Sequence, residues 1–419
     1  MTDFIPRPLR ALPRDGVLLF LTRFTRLFAY GALSVVLVFY LVSLGLTEAQ
    51  VGLLLTLTLA GDMAISLALT TRADRLGRRR MLIVGAILMV GAGIAFASTR
   101  NLFFLILAGT IGVISPSGHE VGPFLSIEQA ALSHVVPARS RTEVFAWYTL
   151  SGSLATALGA LCGGAVAGIV QRASLSGSDG YRVVVLLYAV LGIALAFLFT
   201  RLSSSTEVDT SARVAGGVSA RDFLGLGRSR SIVLKLSSLF ALDSFGGGFV
   251  VQSFAAYWFY LRFGVPPAKL GLIFFWANVL AGISALLASR LATRIGLVRT
   301  MVVTHLPSNV LLILVPLMPN LSLAVLVLLV RFSISQMDVP TRQSYTMAVV
   351  RHEERSAAGG ITGVARTAGA AISPIFAGFL FSRPALIDIP FFIAGTLKIT
   401  YDLVLYRQFA AIRPPEEAD

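Results

Sequence analysis

The sequence predicts an all-α, polytopic membrane protein with twelve transmembrane helices in two pseudo-symmetric six-helix halves. Three observations predict it. Hydrophobic residues make up 56% of the 419-residue chain and charged residues only 13%, against roughly 25% charged in a soluble domain. Twelve apolar segments recur along the chain, each long enough to cross a bilayer. Short motifs of the first half return about 217 residues later in the second.

The apolar segments are 17–44, 50–71, 81–98, 102–136, 144–170, 181–202, 233–261, 270–289, 300–317, 321–350, 359–381 and 390–406. The fourth and tenth are long and are interrupted by proline and charge. The stretch 203–230 is the one long polar connection between spans. It divides the chain into a first half, 1–202, and a second half, 231–419. The repeats agree with that division. Phe39-Tyr40-Leu41 returns as Phe259-Tyr260-Leu261, and Ala73-Asp74-Arg75-Leu76-Gly77 as Ala292-Thr293-Arg294-Ile295-Gly296.

Charge placement sets the orientation. The formal charge is +14, with a pI near 10.7 and a mean hydropathy of +0.80. The basic residues form no single patch of the kind that binds nucleic acid; they punctuate apolar runs. With both termini cytoplasmic, the arginines between spans two and three (Arg72, Arg75, Arg78, Arg79, Arg80) and between spans eight and nine (Arg290, Arg294, Arg299) lie inside. The opposite loops hold only Arg100, Arg172, Arg182, Arg262, Lys269 and Arg383. That bias is the positive-inside pattern of a multi-pass plasma (inner) membrane protein. The lone Cys162 forms no internal disulfide and reads as a packing residue.

Thr70-Thr71-Arg72-Ala73-Asp74-Arg75-Leu76-Gly77-Arg78-Arg79-Arg80 resembles the loop signature G-x-x-x-D-R-x-G-R-R of the major facilitator superfamily, with Thr70 in place of the first Gly. The resemblance covers essentially the whole chain. It implies that Asp74, Arg75, Gly77, Arg78 and Arg79 form a cytoplasmic latch of an alternating-access cycle. The plainer reading is that the arginines only set topology. Gly159-Ala160-Leu161-Cys162-Gly163-Gly164 resembles the G-P-x-x-G-G motif of the superfamily's proton-coupled exporters, with Ala160 in place of Pro. Close helix packing explains the same glycines.

Ionisable groups inside the spans carry the functional reading, because a charge there costs a few kcal/mol unless it finds a partner or a wet cavity. Span four contains Ser115-Pro116-Ser117-Gly118-His119-Glu120-Val121-Gly122-Pro123 and then Glu128. Its prolines and glycines break the helix. Glu120 is the first candidate for proton coupling, followed by Asp338, Glu128 and Asp62; His119 is a possible partner of Glu120. Glu128 is also read as lying on a solvated cytoplasmic extension. In span ten, Asp338-Val339-Pro340-Thr341-Arg342 puts an acid and a base on one helix face, either in the pathway or as a self-neutralised pair. Arg342, His119, Arg23, Asp243, Arg331 and Arg366 are the candidates for substrate binding. Arg23 in span one and Asp243 in span seven are repeat partners and are one candidate pair for a bridge between the halves, against separate partners for each; Gly246-Gly247-Gly248 is a candidate hinge. Lys398 and Asp402 read as a structural pair, and His305 as a packing residue.

These readings converge on a secondary active transporter of a small organic solute, with proton-coupled efflux first. The alternatives are a proton-coupled importer of an organic anion or zwitterion, using Arg23 and Arg342, and a non-transporting receptor or lipid-binding scaffold. The expected partners are a small-molecule substrate, protons and membrane lipids, not nucleic acid. No catalytic residues, cofactor or metal-ligand spacing are expected, and the resemblance implies a working monomer.

Overall fold

Residues 12–137, 141–173, 178–207, 229–351 and 354–412 are described by a computed structural model. Among them the chain is helical throughout, with no strand. In hydrocarbon a helix satisfies its own backbone groups, so apolar runs of this length have no competing structure. The first half forms α1 (Arg14–Ser43), α2 (Glu48–Leu76), α3 (Arg78–Ser98), α4 (Leu102–Ile111), α5 (Phe124–Val135), α6 (Arg141–Ala173) and α7 (Asp179–Thr200). The second forms α8 (Arg230–Gly248), α9 (Gln252–Phe263), α10 (Pro267–Ile295), α11 (Leu297–Leu314), α12 (Leu321–Phe332), α13 (Asp338–Ala348), α14 (Arg355–Phe381) and α15 (Ile389–Phe409). Ten helical stretches are long and apolar enough to span a membrane. The short apolar helices α4 and α12 open spans four and ten, which brings the number of spans to twelve.

The local chemistry repeats between halves. α4 and α12 each begin at an asparagine whose side chain accepts a backbone N–H: Asn101 from Phe103 at 2.9 Å and Asn320 from Leu323 at 3.0 Å. The chain turns from α2 into α3 at Gly77 with φ 103° and from α10 into α11 at Gly296 with φ 87°. A Cβ is strained at either turn.

The described residues pack into two compact units. The first comprises Met1–Leu46, Gly61–Gly217 and Pro266–Phe275; the second comprises Thr47–Ala60, Val218–Val265 and Trp276–Asp419. The boundary at 217/218 falls inside the expected linker 203–230, of which 208–228 lies outside the described residues. Unlike the simple halves expected, each unit takes in the opening turns of one span, α2 or α10, from the other half of the chain.

In the first unit α1 packs along α6 without room for side chains at the contact. A Cβ on Gly31 would run into the Thr156 carbonyl, one on Gly159 into that of Phe28, and one on Gly163 into that of Ala32. In the second unit α8 packs on α14 in the same way, with Gly369 against the Ala241 carbonyl and Ser373 Oγ donating to Phe245 O at 2.5 Å. The glycines of the 159–164 motif are therefore close-packing residues.

Replacing Gly159 with Val is expected to destabilise the fold by about 1–3 kcal/mol through overpacking. The same substitution at Gly91, where nothing lies within 4 Å, is expected to leave thermal unfolding in detergent unchanged.

Candidate functional site

Span four is broken where its sequence requires it. The chain leaves helix at Gly112 and re-enters it after Pro123. The backbone groups freed by the break are met by hydroxyls. Tyr188 donates to Val113 O, Thr156 to Gly118 O at 3.2 Å, Ser115 to His119 O at 2.7 Å and Tyr30 to Val121 O at 3.4 Å. This break delivers Glu120 and Glu128 to the arginines of α1.

Arg26 is fully buried and grips Glu128 with two bonds, Nη1–Oε1 and Nη2–Oε2, each 2.8 Å. Thr22 Oγ1 adds a bond to Oε1 at 2.8 Å, and Tyr148 Oη one to Oε2 at 2.5 Å. Glu128 is itself fully buried, so it does not lie on a solvated extension. Its two oxygens thus accept four hydrogen bonds, two from Arg26 and one each from Thr22 and Tyr148. Glu120 bridges the two arginines: Arg23 Nη1 is 2.8 Å from Oε1, in ion-pair contact without hydrogen-bond alignment, and Arg26 Nη2 is 3.1 Å from Oε2. The Glu120 side chain retains 18% exposure. Arg23 lies 4.3 Å over the Tyr148 ring and Arg26 4.7 Å over Phe124, which adds cation–π attraction in a dry site. His119 is exposed and forms no ion pair with Glu120.

Asp62 of α2 is also buried in the first unit. Its Oδ1 has no hydrogen-bond partner. No cation pairs with it among the described residues.

The second unit repeats the arrangement with the signs exchanged. Asp243 of α8 is held by Lys398 Nζ at 2.6 Å and Arg342 Nη1 at 3.0 Å. Arg342 Nη1 also lies 3.4 Å from Asp338 Oδ2, one turn earlier on α13, so the intrahelical pair expected from sequence is present and extended to α8. His305 of α11 joins the cluster: its Nδ1 is 2.8 Å from Asp402 Oδ1 and its Nε2 3.7 Å from Asp243 Oδ1. Asn309 Nδ2 donates to Asp402 Oδ2 at 2.9 Å.

Three expectations are corrected here. Arg23 and Asp243 do not bridge the halves, because each is paired inside its own unit. Lys398 and Asp402 do not pair, because Asp243 and His305 offer each a nearer partner. His305 is not simple packing but the fourth element of the charged cluster. Gly246 to Gly248 end α8, and the break follows at Phe249–Val251. Ligand atoms of Asp243, His305 and Asp338 lie within 4.8 Å of one another. Lys398 and Arg342 already occupy the carboxylates a metal ion would need.

At the turn between α2 and α3, the Asp74 side chain lies outside the described residues, and Glu207 caps the start of α3. It accepts Arg78 N at 2.7 Å and Arg79 N at 3.0 Å, where the helix dipole favours an anion. Arg78 Nη1 reaches Thr206 O at 3.3 Å and Arg79 Nη1 reaches Leu202 O at 3.2 Å. Arg75 is exposed. Glu207, Tyr148, Thr22 and Asn309 escape a sequence reading, because each is an ordinary polar residue until the fold brings its partner to it.

Arg26→Met is expected to destabilise the protein by about 3–5 kcal/mol, because it leaves Glu128 buried and uncompensated. Combining it with Glu128→Leu should recover most of the loss, as read by thermal unfolding of the two single variants and the double variant.

The chain is 32% identical over 425 residues, 95% of each protein, to the uncharacterized membrane protein YJR124C of Saccharomyces cerevisiae. It is 29% identical over 142 residues, 34% of this chain and 35% of the relative, to the quinolone resistance protein NorA of Staphylococcus aureus. A mutant of the nucleoside transporter NupG superposes with a TM-score of 0.75 at 12% identity, covering 94% of this chain and all of that one. The family model described as Major Facilitator Superfamily matches residues 19–374. The chain thus belongs to the major facilitator superfamily of multi-pass membrane transporters.

Proposed function

We propose that this protein exchanges protons for a small organic solute and exports the solute across the plasma membrane, as a monomer with both termini cytoplasmic. Asp62 carries the reading. A buried carboxylate with no counter-cation is costly when ionised. Such a group takes up a proton when closed off from water and gives it up when a cavity wets it. Tyr30 lies within electrostatic reach of both Asp62 and Glu120, and Tyr188 within reach of Asp62. The groups around the proton site are therefore two phenols and one ion-paired acid.

This reading moves first place in proton coupling from Glu120 to Asp62. Glu120 is committed to two arginines but keeps a partly exposed side chain, and it becomes the second candidate for coupling. Asp338, on Arg342, and Glu128, on Arg26, are structural anions within their clusters. Export is favoured over import by the partial similarity to NorA, whose name is that of a resistance protein. The excess of basic residues in the inward loops supports cytoplasmic termini.

The test is accumulation of a broad panel of organic solutes in cells expressing the wild type or Asp62→Asn, with and without a protonophore. Compounds depleted from wild-type cells should return to control levels with the protonophore or in Asp62→Asn, with at least a tenfold loss of gradient-driven flux. Solute-for-solute exchange by the variant should persist, because Asn mimics the neutral acid. Depletion that ignores the protonophore rejects proton coupling, and enrichment in wild-type cells reverses the direction.

A further inference from the structure

The charges of the second unit do not balance. Asp243 is shared by Lys398 and Arg342, Asp338 is on Arg342, and Asp402 is on His305 and Asn309. Every carboxylate of the cluster thus has its partner. Two further guanidinium groups remain, Arg331 and Arg366.

Both lie deep in the membrane by position. Arg331 is in the last turn of α12, ten residues past its start at Leu321, or about 15 Å along a helix. Arg366 is eleven residues into α14, or about 16 Å along it, with more than that remaining before Phe381. Neither forms an ion pair or a side-chain hydrogen bond among the described residues, and the buried Nε of each has no partner. The Arg331 guanidinium carbon lies 5.1 Å from the ring of its neighbour Phe332. Arg366 is worse placed, because the charge it senses most strongly is the like charge of Arg342. Asp243 and Asp338 lie within electrostatic reach of both arginines, so the two converge on the same cluster. Each keeps part of its surface open.

A cation at this depth normally has a carboxylate, a carbonyl or a water-filled cavity to meet it. Every arginine of the first-unit cluster has its acid, whereas these two have none. Arg342 and Arg23, the arginines expected from sequence to receive an anion, are already occupied by Asp243 and Glu120. The planar fork of a guanidinium suits carboxylate or phosphate oxygens.

We infer that Arg331 and Arg366 form the binding site for an anionic substrate, an organic carboxylate or phosphate whose negative charge completes the cluster of the second unit. The inference rests on the chain being a transporter of a small solute. It does not depend on the coupling ion or the direction of transport.

Its test is therefore a binding measurement on the purified protein in detergent. The probes are isophthalate, a planar dicarboxylate, and phenyl phosphate, with tetraphenylphosphonium as the cationic counterpart. Both anions should raise the unfolding temperature of the wild type saturably. Arg331→Gln and Arg366→Gln should each weaken the apparent Kd at least tenfold. Without ligand, the two variants should unfold at the wild-type temperature or above it, because each loses an uncompensated cation, whereas Arg342→Gln should unfold well below. Anion binding unchanged in both variants overturns the inference, as does stabilisation by tetraphenylphosphonium alone. A drop in stability of both variants comparable to that of Arg342→Gln shows structural roles and overturns it too. Failure of proton-driven flux with anion binding intact would reject the coupling and leave the site standing.

Discussion

The constraint on which this structure depends is that an ionised group inside a membrane must find its counter-charge within the same packed bundle. Glu128 is the clearest case. It takes two bonds from Arg26 and one each from Thr22 and Tyr148, so one carboxylate ties α1, α5 and α6 together. Removing any one donor leaves the carboxylate short of a hydrogen bond in a medium that supplies none. The second unit solves the same problem with Asp243, which draws Arg342 of α13 and Lys398 of α15 onto α8. The first and fourth spans of one unit, and the seventh and tenth of the other, are thus joined by ion pairs of opposite sense. The repeat has preserved the connection and exchanged the signs.

The broken helices make those pairs possible. A continuous helix through 102–136 would carry Glu120 and Glu128 on a surface fixed by helical periodicity. The non-helical stretch from Gly112 to Pro123 lets the backbone set Glu120 beside two arginines, and it releases carbonyls that Tyr188, Tyr30 and Thr156 capture. Those donors come from α7, α1 and α6. The break is consequently held from three sides and is part of the packed core.

Much of this was legible in the sequence. Span number, the broken fourth and tenth spans, the repeat and the set of ionisable residues in play all follow from apolar run length, proline and glycine placement, and the cost of charge in hydrocarbon. Pairing was less legible. Repeat symmetry matches Arg23 with Asp243, but symmetry relates equivalent positions and does not put them in contact; each found an acid or base in its own bundle. The four-residue spacing of Lys398 and Asp402 favours a pair on an isolated helix by only about 0.2–0.5 kcal/mol. A charge-assisted bond from Lys398 to the buried Asp243 at 2.6 Å outweighs that. Glu207 could not be read as the cap of α3 because 128 residues or more separate it from its partners.

What the pairing leaves over is as informative as what it joins. In the first unit Asp62, inside span two, has no base among the described residues. In the second, Arg331 and Arg366, inside spans ten and eleven, have no acid among them. An unmatched acid is neutralised by a proton, and an unmatched guanidinium, which keeps its proton at any physiological pH, is neutralised only by an anion. On the proposed function, Asp62 takes a proton, and on the further inference Arg331 and Arg366 take an anion. For those ligands to be exchanged, no direct contact between the sites is required. Linkage demands only that each ligand favour different members of one shared conformational equilibrium, and the reciprocity of their effects then follows by thermodynamic necessity.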